Sequence, residues 1–191
     1  DELVLVDVNA DKAKGEEMDL SDGLVYADTK MKIRAGDYTD AKDTNIVVLT
    51  AGIAQKPGQT RLELVKINAN ITKTCCEQLK ENGFDGIMIV AGNPVDIMTY
   101  VAYKTLGLSS NHVFGSGAVL DSARLRFAIS EKLGVAPGNI HAYIMGEHGD
   151  SIFVSWANTY VGCKNLLEYL DERDDVELAE LQELYIGARD K

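Results

Sequence analysis

The sequence predicts an α/β fold with a parallel sheet, on three observations. Short apolar runs alternate with longer segments of helical composition as far as residue 117, the pattern of strand–helix–strand units. The runs Leu3–Val6 and Ile87–Val90 are continuously apolar, as strands buried on both faces are. Gly83 and Gly107 stand where the intervening helices should stop.

Taken in order, Leu3-Val4-Leu5-Val6 reads as a buried parallel strand ending in Asp7. Asp7 has two readings. It can accept the ribose hydroxyls of a dinucleotide from the carboxyl end of a strand, or it can join Asn9 in capping the helix-forming run Ala10–Glu17, whose first turn holds Lys12. Met31–Ala35 alternates weakly and gives a second strand, and Asp37-Tyr38 a turn. Asn45–Thr50 is the clearest strand, β-branched with polar ends. Ala51–Arg61, rich in small residues, is a loop long enough to move as a lid. Leu62–Asn82 is a helix with Leu62, Val65, Ile71 and Leu79 at helical spacing.

Strand Ile87–Val90 leads to Ala91-Gly92-Asn93-Pro94. Asn93 either offers a donor and an acceptor to the crevice where such sheets bind ligands, or serves turn chemistry before proline. Val95–Leu106 is helical, His112–Gly117 a short strand, and Val119–Leu133 a further helix. Ile140–Met145 is a strand running into Gly146-Glu147-His148-Gly149-Asp150. After Ile152–Trp156 the chain turns polar and acidic through Asp171–Asp175, a solvated connection, and Val176–Arg189 is an amphipathic helix.

Composition narrows the function. The 191 residues suffice for one large domain, or for one domain and part of another. A net charge of −11 argues against nucleic acid and anionic membrane surfaces as partners. No apolar run reaches the length of a membrane span, and no charged, apolar leader opens the chain. Cys75, Cys76 and Cys163 are odd in number and lack metal-ligand spacing, so no metal site is expected and reduced thiols in a cytoplasm fit best. With six arginines among nineteen basic residues, a small anion would have to be held by a few local guanidinium groups.

Two stretches carry candidate chemistry. His148, between glycines and carboxylates, is an imidazole suited to proton exchange near neutrality. The pentapeptide alone also reads as an ordinary solvated turn. Asp121 and Arg124 are three apart and share a helical face, either toward one pocket or as a surface ion pair. Arg126 lies about 200° around the helix from Arg124 and points elsewhere.

These segments together resemble the L-lactate/malate dehydrogenase family, and within it the bacterial allosteric lactate branch. The resemblance rests on Val6-Asp7, Thr50-Ala51-Gly52 through Arg61-Leu62, Gly92-Asn93-Pro94-Val95-Asp96, Leu120-Asp121-Ser122-Ala123-Arg124 and Gly146-Glu147-His148-Gly149-Asp150, and covers essentially the whole chain. It implies NAD-dependent, reversible hydride transfer between L-lactate and pyruvate, the last step of fermentative glycolysis. His148 would exchange a proton with the substrate oxygen, Asp121 would hold the imidazole, and Arg124 would grip the carboxylate with a bidentate fork. Arg61 would polarise the carbonyl as the lid closes, and Asn93 would bind substrate beside the nicotinamide. Asp7, Lys12, Tyr38, Gly52, Ile53, Thr74, Ala91, Gly92, Asn93 and Ser116 fall where family members line the cofactor groove. Gln55 stands where malate dehydrogenases carry arginine, and a neutral amide suits pyruvate's methyl group. Arg126 and His141 match residues that bind fructose 1,6-bisphosphate in allosteric members, which are homotetramers.

The resemblance also implies a Rossmann-type parallel sheet lacking its first strand (residues 1–117), followed by part of an α+β substrate domain (118–191). A member should open with a strand and a Gly-x-Gly-x-x-Gly turn that cradles pyrophosphate, whereas this chain starts at the second strand and stops within the substrate domain. The expectation is a chain truncated at both ends and inactive in isolation. Two alternatives stand beside it: a malate or related 2-hydroxy acid dehydrogenase, and an inactive fragment serving only as an interaction piece.

Overall fold

The computed structural model describes residues 1–54, 58, 60–149 and 151–189, with residues 61 and 187–189 as backbone only. Gln55 and Asp150 lie outside the described residues. The chain divides into two compact units, residues 1–93 with 97–115, and residues 94–96 with 116–191.

The first unit holds strands β1 (Glu2–Leu5), β2 (Lys32–Ala35), β3 (Ile46–Leu49), β4 (Ile87–Val90) and β5 (Val113–Gly115), with helices α1 (Ala10–Gly23), α2 (Arg61–Glu81) and α3 (Val95–Leu106), the first two residues of α3 falling in the second unit. Every strand pair in it is parallel, as the apolar runs predict. Where one sheet was expected there are two ladders, β1–β2 and β3–β4–β5. The core gathers Leu49, Met88, Val90 and Val113 from strands, Cys76 and Leu79 from α2, and Met98, Ala102 and Leu106 from α3.

In three places the first unit departs from what its sequence predicts. Leu3 and Val6 are 37% and 45% exposed, because β1 is laddered on one edge only and α1 packs chiefly against β2. The expected turn at Asp37-Tyr38 opens a 3-10 helix over Tyr38–Asp43, because Asp37 and Asp40 close a reciprocal capping box on it. The stripe read along α2 is only in part its buried face: Leu79 is buried and Val65 packs on the core, but Leu62 is 79% exposed, and Asn68, Thr72 and Cys76 are buried as well. Two polar residues on that face hid it from a search for apolar spacing.

The second unit carries α4 (Val119–Leu133), β6 (Ile140–His141), β7 (Ile144–Met145), β8 (Phe153–Val154), β9 (Tyr160–Val161), β10 (Lys164–Asn165), α5 (Leu166–Asp171) and α6 (Leu178–Arg189). Its ladders are short and antiparallel, β6–β9–β10 and β7–β8. Leu125, Ile129 and Leu133, four apart on α4, pack in one core with Ile140, Ala142 and Ile144. The expected strand Ile140–Met145 is split in two. Its alternate residues stay buried throughout, but the ladder partner changes from β9 to β8. The segment expected to be a solvated connection contains β9, β10 and α5, whose Leu166 and Leu170 are buried among acidic neighbours.

Candidate active site

In the second unit the chemistry collects around the first turn of α4. Asp121 lies in that turn, where unpaired backbone N–H groups favour a negative charge, and it is 3% exposed. Its Oδ2 lies 2.9 Å from His148 Nδ1, and its Oδ1 accepts from Arg124 Nη1 at 3.5 Å. A carboxylate can only accept, so this pairing sets the hydrogen on Nδ1 and leaves Nε2 without that partner. The His148 side chain keeps about a third of its surface accessible, and that of Arg124 slightly more.

Local structure explains how the loop brings His148 there. The Ile144 N–H donates to Ser122 Oγ at 2.9 Å, pinning β7 to α4 one residue past Asp121. Gly146 turns the chain out of β7 with φ +104°, where a Cβ would also sit 3.2 Å from the Ser151 carbonyl oxygen. The His148 N–H then donates to Asp96 Oδ2 at 2.9 Å. The imidazole is therefore fixed from the ring side and from the backbone side. Asp96 and Ser122 were inside quoted motifs, yet sequence reasoning gave neither a role; their contribution is one hydrogen bond each, which no spacing reveals.

In the first unit, a cavity of about 310 Å³ opens past the carboxyl ends of β3 and β4. Gly52, Ile53, Ala91, Gly92 and Asn93, all predicted site residues, line it with Thr50 and Asn68. The two loops meet closely: a Cβ on Gly92 would lie 3.0 Å from the Ala51 carbonyl oxygen. Asn68, absent from the predicted set, is buried and hydrogen-bonded to both loops.

The other predicted residues are distributed as follows. Asp7 accepts the Asn9 N–H at 2.9 Å and pairs with Lys12 Nζ at 3.1 Å, and those contacts, the first above all, hold its carboxyl below the usual range. Asn9, rather than Asp7, is the N-cap of α1. Tyr38 packs on the first unit's core, and burial together with Cys75 pushes its phenol up. Thr74 is exposed on α2, and Ser116 is half-buried at the start of the second unit's main stretch. Arg61 opens α2 directly after the Thr60 cap. Arg126 is half-buried on α4, and His141 is exposed, opposite Tyr160 in the β6–β9 ladder. Among the described residues no group of three or more His, Cys, Asp or Glu could hold a metal ion, and no helix is long and apolar enough to cross a membrane.

Comparison with known proteins gives a consistent result. Residues 1–115 match the profile "lactate/malate dehydrogenase, NAD binding domain", and residues 118–191 match "lactate/malate dehydrogenase, alpha/beta C-terminal domain". An L-lactate dehydrogenase of Geobacillus sp. (strain WCH70) is 48% identical over 190 residues, which is 100% of this chain and 60% of the relative. A lactate dehydrogenase enzyme from a Medee basin deep-sea metagenome library superposes with a TM-score of 0.95 at 49% identity, over 100% of this chain and 60% of that one. The minor L-lactate dehydrogenase of Enterococcus mundtii, in its ligands-bound form, gives 0.94 at 45%, with the same coverage. The chain thus spans about 60% of the length of the relatives it matches. Matched along both its units, it belongs to the lactate/malate dehydrogenase family.

Proposed function

We propose that the protein to which this chain belongs is an NAD-dependent L-lactate dehydrogenase, interconverting pyruvate and L-lactate. The observation that carries the reading is the 2.9 Å contact of His148 Nδ1 with the buried Asp121 carboxylate. A proton-exchanging imidazole held in one tautomer is what reduction of a keto oxygen to a hydroxyl requires. The names of the relatives support lactate and pyruvate as the substrate pair.

The residues present fit the cofactor. The first unit offers a cavity past parallel strands, lined by small residues where the Gly92 backbone comes close to Ala51, and an exposed carboxylate, Asp7, just beyond β1. Gly52, Ile53, Ala91, Gly92 and Asn93 would hold the nicotinamide end and Asp7 the adenine ribose, with Lys12, Tyr38, Thr74 and Ser116 along the groove. When bound, NADH supplies the hydride. His148 gives the proton from Nε2 to the oxygen of pyruvate and recovers it in lactate oxidation. Asp121 stabilises the imidazolium, the form that donates in pyruvate reduction and is regained in lactate oxidation. Arg124 holds the substrate carboxylate, Asn93 hydrogen-bonds the substrate, Arg61 polarises the carbonyl, and neutral Gln55 leaves room for a methyl group.

The test is NADH oxidation by the full-length protein with pyruvate and with oxaloacetate. We expect kcat/KM to favour pyruvate. A preference for oxaloacetate would make it a malate dehydrogenase, and no oxidation with either would end the reading. We further read the enzyme as a cytoplasmic homotetramer whose Arg126 and His141 take the phosphates of fructose 1,6-bisphosphate; the three free cysteines suit a reducing compartment. Addition of the bisphosphate should lower the half-saturating pyruvate concentration several-fold, and an unchanged value removes the effector.

A further inference from the structure

Asn68 stands in the middle of α2, 3% exposed, in a place where helix propensity favours an aliphatic residue. A buried amide is costly unless its hydrogen bonds are made. Here they are. Oδ1 accepts the Ile53 N–H at 2.9 Å, and Nδ2 donates to the Ile53 carbonyl at 3.3 Å and the Asn93 carbonyl at 2.9 Å. Ile53 belongs to the loop after β3, and Asn93 to the loop after β4. One side chain therefore ties together the two loops that line the cavity, and it also contributes to the cavity wall.

No other side-chain type of this shape does this. Leucine has neither donor nor acceptor, and an aspartate would keep the acceptor while turning oxygen against two carbonyls. We infer that Asn68 is a positioning residue, which fixes the separation of the two loops and so aims the Asn93 side chain and the Ile53 backbone at the ligand of this cavity. The inference rests on the dehydrogenase reading for the identity of that ligand, but the clasp itself does not.

The experiment uses the full-length protein with Asn68→Asp and Asn68→Ser. Turnover of pyruvate by the unaltered protein is measured first; its failure would sink the functional reading and leave the clasp to be judged by amide exchange. In the unaltered protein the Ile53 amide should be protected, and in both variants its exchange should quicken at least about tenfold. Half-saturating pyruvate should rise about tenfold, the worth of one well-made hydrogen bond. The affinity for NADH, whose nicotinamide end this cavity would hold, should fall several-fold as well. A merely structural role would lower the melting temperature and the active fraction while leaving the pyruvate half-saturation unchanged, and that result overturns the proposal. Rapid exchange at Ile53 in the unaltered protein overturns it without any variant.

Discussion

The two units build their functional features by different means. In the second, side chains do the work: Asp121, Ser122 and Asp96 each make one hydrogen bond that helps hold the His148 turn, and the ring keeps an accessible side. In the first, backbone and small residues do it: Gly52, Ala91 and Gly92 leave a cavity that one buried amide holds to width. On the proposed function the difference follows from the task. Proton exchange needs a titratable atom held to within a few tenths of an ångström, whereas a planar ring and its ribose need space and backbone polar groups at close range. A site of the first kind should fail at single atoms, and a site of the second kind by swelling or collapse.

The sharpest way to break this contrast is His148→Asn. It keeps a polar side chain in the turn but removes the proton exchanger, and kcat should fall roughly a thousandfold with NADH affinity intact. Stopped-flow NADH absorbance, with fluorescence titration of the cofactor, measures both quantities. A variant retaining a tenth of the activity would mean that another group handles the proton. Asp121→Asn comes next, at about a hundredfold. The amide can present a donor to Nδ1 and favour the wrong tautomer, and Arg124 loses its partner at 3.5 Å. If it instead binds cofactor poorly, the division of labour between the units is wrong.

Gly146→Ala tests the turn rather than the ring. At φ +104°, with the Ser151 carbonyl 3.2 Å from the added methyl, the substitution should cost about 1–3 kcal/mol and lower kcat by displacing His148. Thermal unfolding and turnover are read together. A stable variant with normal kcat would show that the turn tolerates another path to the same ring position.

The cluster of Asp121, Arg124 and His148 in the second unit was legible in the sequence, because the three stand at motif positions of the family it resembles and helical spacing joins the first two. Sequence reasoning did not reach the supports. Ser122 and Asp96 act through single hydrogen bonds to backbone N–H groups, and a hydroxyl or carboxylate has many uses. In the first unit the strands were legible from their apolar runs and the parallel pairing followed. The buried face of α2 was not, because Asn68 and Thr72 occupy it: one holds two loops and the other donates to Met98 Sδ at 3.3 Å. Leu166 and Leu170 were masked by acidic neighbours on the other faces of a short helix. Periodicity finds apolar stripes; it misses polar residues whose partners come from elsewhere in the chain.

The smallest effect expected concerns how the first unit's β1–β2 ladder is held. Arg34 on β2 donates to Glu2 Oε1 at 2.7 Å and to Asp40 Oδ1 at 2.6 Å, tying β1 to the 3-10 helix. The guanidinium holds both carboxyls below their ordinary ranges, and its own ionisation is pushed up and so never enters the question. Carboxylates depressed in the folded state add stability above their unfolded values, near 4.5 for Glu2 and 3.8 for Asp40, and lose it as pH falls through the lower folded values. Below about pH 4.5, therefore, amide exchange along β2 should quicken and the melting temperature should drop, by on the order of 2 °C per pH unit, since the pairs are accessible and screened. Arg34→Met should flatten that slope, and molar salt should do so in part. An equal slope with and without Arg34 would mean that acid acts elsewhere, and that the ladder is held by its backbone bonds and by α1 alone.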